Sequence, residues 1–78
     1  MSNMNSSQIS VIIKKYRKLS GLTQKGLADL SGVGKTVIYD LEKGKEGVQL
    51  KTLLRVLEVL NIKLDLIVPF NPEEKAPD

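Results

Sequence analysis

Over the first part of the chain the apolar residues Ile9, Ile12, Ile13, Tyr16 and Leu19 recur at three- and four-residue steps, with Lys14, Lys15 and Lys18 between them. That period predicts one amphipathic helix with its lysines on a solvated face and Tyr16 on the core side. Ser7 is a candidate N-cap and Gly21 a candidate C-terminal stop. Thr23 is placed to cap a second segment, Gln24 to Leu30, whose Leu27 and Ala28 point inward. An isolated helix of fewer than about 12 residues is marginal in water, so this one depends on tertiary contacts. Gly32 supplies a left-handed residue after it, and Val33 re-enters the core.

The third segment, Lys35 to Lys43, sets Ile38 and Leu41 on an inner face and Lys35, Thr36 and Tyr39 outside; Gly44 closes it. After the polar loop Lys45-Glu46-Gly47, the residues Leu50, Leu53, Leu54, Leu57 and Leu60 mark a fourth helix that ends at Asn61, a residue tolerant of the left-handed conformation. From Ile62 the period becomes alternating. Leu64, Leu66 and Val68 share one face, and the reading is a short strand, stopped by Pro69. The expected fold is therefore all-α, a four-helix bundle, with a short C-terminal β-strand.

The 78 residues suffice for one compact domain. Cysteine and histidine are both absent, which removes disulfides, thiolate nucleophiles, imidazole bases and most transition-metal sites. Asp40 and Glu42 stand two apart on a helix and do not face one another, so they do not form a carboxylate pair for catalysis. No enzymatic site, metal or cofactor is expected. No stretch approaches the roughly 20 apolar residues of a membrane span, and a cytoplasmic protein without membrane contact is expected. Charge is uneven: residues 1–55 hold ten basic and four acidic side chains, a net of +6, whereas 56–78 hold two and five, a net of −3. A basic body of this kind suits a polyanionic partner.

Two short helices joined by a tight glycine-containing turn form the arrangement that sets a second helix into the DNA major groove. The residues carry a resemblance as well. Gly21-Leu22-Thr23-Gln24, Leu27-Ala28, Gly32-Val33, Ile38 and Leu41-Glu42-Lys43-Gly44 resemble the Cro and lambda-repressor (XRE) type of helix-turn-helix over about residues 9 to 62. The resemblance implies an ion pair between Arg17 at the end of the first helix and Glu42 at the end of the recognition helix. Together with the periodicity and composition, it divides the chain into an expected flexible N-terminus (1–6), a DNA-binding domain (7–62), a dimerisation strand (63–69) and a flexible tail (70–78).

On this reading Gln24, at the start of the second helix, bridges backbone and recognition helix, where N–H groups and the helix dipole favour a phosphate. Lys35, Thr36, Val37 and Tyr39 are the candidates for bases or groove walls. Lysine donates to guanine acceptors, and threonine offers a hydroxyl and a methyl. Val37 either touches a thymine methyl or packs at the groove boundary. Thr23, Lys25, Gly34, Lys43 and Lys45 are placed to meet phosphates. Asp40 departs from the family pattern, because an acid beside phosphates is repelled unless it meets a cytosine amine or a neighbouring lysine.

A lone strand leaves its backbone groups unpaired, and the simplest partner is the same strand of a second copy about a two-fold axis. Leu54, Leu57, Leu64, Leu66 and Ile67 would share that interface in a homodimer. The run Tyr39-Asp40-Leu41-Glu42-Lys43-Gly44-Lys45 and the leucine-rich fourth helix leading into a strand resemble the HipB-like antitoxins. That resemblance implies pairing through the strand, repression of the protein's own operon at palindromic double-stranded operators, and binding of a HipA-like serine/threonine kinase toxin. A phage or mobile-element repressor without a toxin, and an adaptor that binds protein but not DNA, are the alternatives.

Overall fold

The computed structural model describes residues 5–65. Four helices follow one another: α1 (Ser6–Leu19), α2 (Gln24–Ser31), α3 (Lys35–Glu42) and α4 (Leu50–Val59). α1 starts two residues earlier than expected. Asn5, not Ser7, is the N-cap: its side chain accepts from the Gln8 N–H, and the Gln8 side chain accepts from the Asn5 N–H, both at 3.0 Å. This reciprocal capping box satisfies two N–H groups that a serine inside the first turn would leave open. Asn5 and Ser6 are thus part of the folded domain.

Thr23 caps α2 as expected, its hydroxyl accepting from the Gly26 N–H at 2.9 Å. α2 ends at Gly32, whose φ of +69° is open to glycine and strained for most other residues. The Val33 N–H then donates to the Ala28 carbonyl at 3.0 Å, turning the chain sharply into α3. Asn61 performs the same service after α4, with φ +58° and the Ile62 N–H donating to the Leu57 carbonyl at 2.9 Å.

The core is Ile13, Leu27, Ala28, Ile38, Leu41, Val56, Leu57 and Leu60. Each fully buried Ile or Leu contributes about 1.5–3 kcal/mol relative to exposure. Ile9, Leu22, Val33, Leu53, Val59 and Ile62 pack around this centre. α3 rests on α2 and α1, and α4 closes the bundle against α2.

Two stripes differ from the sequence expectation. Tyr16 and Leu19 are exposed at 42% and 70%, because Arg17 takes the inward position one turn after Ile13. On α4, Leu50 and Leu54 are exposed while Val56 is fully buried, so the helix is rotated toward Val56 and Leu57. Leu57, expected at a dimer interface, lies mainly in its own chain's core at 4% exposure. Residues 62–65 have no regular secondary structure, and the rest of the expected strand, including Leu66 and Ile67, lies outside the described residues.

Candidate nucleic-acid interface

Three helices meet at one carboxylate. Arg17 of α1 donates through Nε to Glu42 Oε2 at 2.6 Å and through Nη2 to Oε1 at 3.0 Å, a two-point contact. Its third nitrogen, Nη1, donates to the Leu22 carbonyl at 2.8 Å. Gln24, the first residue of α2, adds a hydrogen bond from Nε2 to Glu42 Oε1 at 3.3 Å. The Arg17 and Glu42 side chains are only 10% and 4% exposed, so both charges are largely withheld from water. The hydrogen bond to Glu42 raises the Arg17 pKa above its already high ordinary value; burial opposes this, and the charge of Glu42 reinforces it. Glu42 therefore fixes the end of α3 against the other two helices of the motif.

With Ile38 and Leu41 buried and Glu42 turned inward, the opposite side of α3 faces solvent. Lys35, Thr36, Tyr39 and Lys43 are exposed there, and Val37 and Asp40 are half-buried at one edge. Lys43 Nζ stands 5.4 Å from the centre of the Tyr39 ring, one helical turn apart. Gly34 is the exposed N-cap of α3 and offers no side chain; the Val37 N–H donates to its carbonyl at 3.0 Å, which leaves the Lys35 and Thr36 N–H groups open to a partner.

The lysines assigned to phosphates differ in their freedom. Lys25 is paired with Asp29 at 2.9 Å on the open surface of α2, and that hydrogen bond raises its pKa. Lys45 lies 3.6 Å from Asp40. Lys43 and Lys35 have no carboxylate partner among the described ion pairs. Thr23 uses its oxygen to cap α2 and retains its O–H for donation outward. Reasoning from sequence expected Gln24 to bridge to the recognition helix and Asp40 to meet a neighbouring lysine, without naming Glu42 and Lys45 as the partners, and it missed Lys43 over Tyr39. In the order Gln24 to Glu42, Lys43 over Tyr39 and Lys45 to Asp40, the three contacts differ in what sequence could show. The second had a signal in the four-residue spacing. The first and third cross turns whose geometry spacing alone does not give.

The helix-turn-helix family profile (HTH_3) matches residues 13–67, which spans all of this geometry. The chain belongs to the helix-turn-helix family. Within it the resemblance to the Cro and lambda-repressor type holds. An HTH-type transcriptional regulator of Sinorhizobium fredii, y4mF, is 36% identical over 63 residues, covering 81% of this chain and 83% of the relative. The chain of the HipB-O4 20mer complex superposes with a TM-score of 0.76 at 23% identity, over 90% of this helix-turn-helix chain and 99% of the other. A mutant of the restriction-modification controller protein C.Esp1396I gives 0.67 at 31% identity, over 74% and 75% of the two chains. This chain is accordingly a DNA-binding, non-enzymatic transcriptional regulator of that family. No described helix is long and apolar enough to cross a membrane, and no group of three metal-binding side chains occurs among the described residues.

Proposed function

We propose that this regulator is a repressor that binds a palindromic operator as a homodimer, inserting α3 into the major groove of each half-site. The carrying observation is the division of α3 into a buried side and an exposed, hydrogen-bonding side, with Glu42 anchoring its end. In this reading Lys35, Thr36, Val37 and Tyr39 meet bases or the groove wall, with Gln24 beside them. Gly34, Thr23 and Lys43 meet phosphates. Lys25 and Lys45 contribute only after loosening their present ion pairs.

Dimerisation is supported by an apolar groove of about 260 Å³ between α4 and the segment that follows it. Leu54, Ile62 and Leu64 line it, and Leu54 and Leu64 are each 45% exposed. A second copy seated there would cover both leucines. The likeness to HipB supports an antitoxin that represses its own operon and engages a HipA-like kinase. The higher identity to C.Esp1396I favours a second reading, a controller protein of a restriction-modification operon. Footprinting on DNA upstream of the protein's own gene, across a salt series, tests the common core. The expected result is a protected palindrome with half-sites about 10 base pairs apart and affinity that falls steeply with salt. Weak binding indifferent to sequence would defeat it. Co-purification of a kinase with the tagged protein separates the antitoxin from the controller reading.

A further inference from the structure

We infer that Asp40 is a specificity-determining residue of the recognition helix, accepting a hydrogen bond from the N4 amine of a cytosine in each half-site. This rests on the reading that α3 enters the major groove. The exposed polar side chains Lys35, Thr36, Tyr39 and Lys43 can all donate hydrogen bonds. The other carboxylate of α3, Glu42, is 4% exposed and committed to Arg17 and Gln24. Asp40 alone on this helix presents an acceptor-only group to the outside, with its side chain 27% exposed.

A carboxylate in the major groove complements a base donor and is repelled by base acceptors. Guanine offers the acceptors N7 and O6, and thymine the acceptor O4. Adenine couples its N6 donor to an N7 acceptor that would oppose the second carboxylate oxygen. Cytosine offers its N4 donor with no acceptor of its own on that edge, the partner guanine's acceptors lying toward the other side of the groove. Asp40, approaching from the cytosine side, therefore favours a C·G pair over the others. Its charge would ordinarily be costly beside phosphates, and here a cation balances it. Lys45 Nζ is 3.6 Å away, and the Lys45 N–H donates to the Asp40 carbonyl at 3.0 Å. Gly44, with φ +78°, makes the turn that folds Lys45 back over α3. Lys45 thus serves Asp40 first, not a phosphate.

The experiment selects binding sites for the full-length protein from randomised duplexes, then measures affinities for the selected site and each single-pair variant by fluorescence anisotropy. Wild type is expected to select a C·G pair at one position of each half-site, its replacement weakening binding about five- to 150-fold. Asp40→Ala should lose that penalty, bind unrelated DNA more tightly, and show a steeper salt dependence by about 0.9 in log–log slope. Asp40→Asn should move the preference at that position toward A·T, because an amide pairs with adenine. It also conserves size should the alanine variant not fold. Full retention of every base preference in both variants would overturn the inference while leaving DNA binding intact. Absence of any selected sequence with wild type would overturn both the inference and the function on which it rests.

Discussion

Replacing Glu42 by leucine should remove a large part of the protein's stability. The substitution deletes an acceptor that holds Arg17 at two points and Gln24 at a third. It leaves the Arg17 guanidinium, 10% exposed, with only the Leu22 carbonyl. Stranding one member of a buried ion pair costs about 3–5 kcal/mol. A chain of this length has a total stability of roughly 4–12 kcal/mol at the usual value per residue, so the loss approaches half of it. In a thermal melt, 3 kcal/mol corresponds to roughly 12–24 °C for a domain of this size. Urea denaturation followed by far-UV circular dichroism gives the free energy directly, with an unchanged slope as evidence of an intact two-state transition. Arg17→Met should cost a similar amount. The double variant Arg17→Met/Glu42→Leu should fall much nearer wild type, because an apolar pair in place of a buried ion pair is often neutral or better. Single losses below about 1 kcal/mol, the value of an exposed pair, would refute the reasoning. So would a double variant that costs the sum of the singles.

The contribution of this pair should not vary between pH 7 and pH 10: a raised folded-state pKa for Arg17 means the stabilisation is fully present below the ordinary arginine value and is lost only above it. A Glu42→Leu penalty that shrinks by pH 10 would contradict that sign. Lys35→Ala or Thr36→Ala should each cost about 1–3 kcal/mol on a selected operator if the side chain reads a base, with melting unchanged; equal losses on all sequences would make it a phosphate contact. Leu54→Lys should shift the protein from dimer to monomer in light scattering at micromolar concentration, and an unaltered mass would remove the α4 groove from the interface.

Much of the fold was legible in the sequence because short local rules decide it. The Thr23 cap, the left-handed Gly32 and the left-handed Asn61 each follow from one residue's chemistry. On α1 the difference arose where a side chain other than an apolar one took a core position. Along α1 the inward line runs through Ile9, Ile13 and Arg17, so a count of apolar residues alone places Tyr16 and Leu19 inside. Asn5 and Gln8 did carry the capping-box spacing, yet Ser7 is an equally acceptable cap residue, and only the reciprocal hydrogen bonds separate them. On α4, leucines and valines cover a wide arc. Which edge turns inward depends on α2, against which the helix packs.

The candidate site divides in the same way. Exposure of Lys35, Thr36 and Tyr39 follows from the burial of Ile38 and Leu41 on the opposite side of α3. The pairing of Lys25 with Asp29 and of Lys45 with Asp40 depends on side-chain reach, and it removes two cations from the free supply expected for phosphates. An engaged lysine would have to exchange a carboxylate for a phosphate on binding, so its gain there would be smaller than that of Lys43.

An eight-residue recognition helix cannot hold its own shape in water, and two buried side chains, Ile38 and Leu41, supply only part of what it needs. Val37 packs beside them, and Glu42 adds to this by joining the final turn of α3 to both α1 and α2. Orientation of the exposed side of α3 and stability of the fold therefore share one residue, whereas the residues proposed to read DNA, Lys35, Thr36 and Tyr39, are exposed and carry little of the packing. On the proposed reading, substitutions on that exposed side should change which DNA is bound without endangering the bundle. A substitution at Glu42 would change both together, so a loss of DNA binding there has to be measured under conditions where the variant is fully folded before it says anything about recognition.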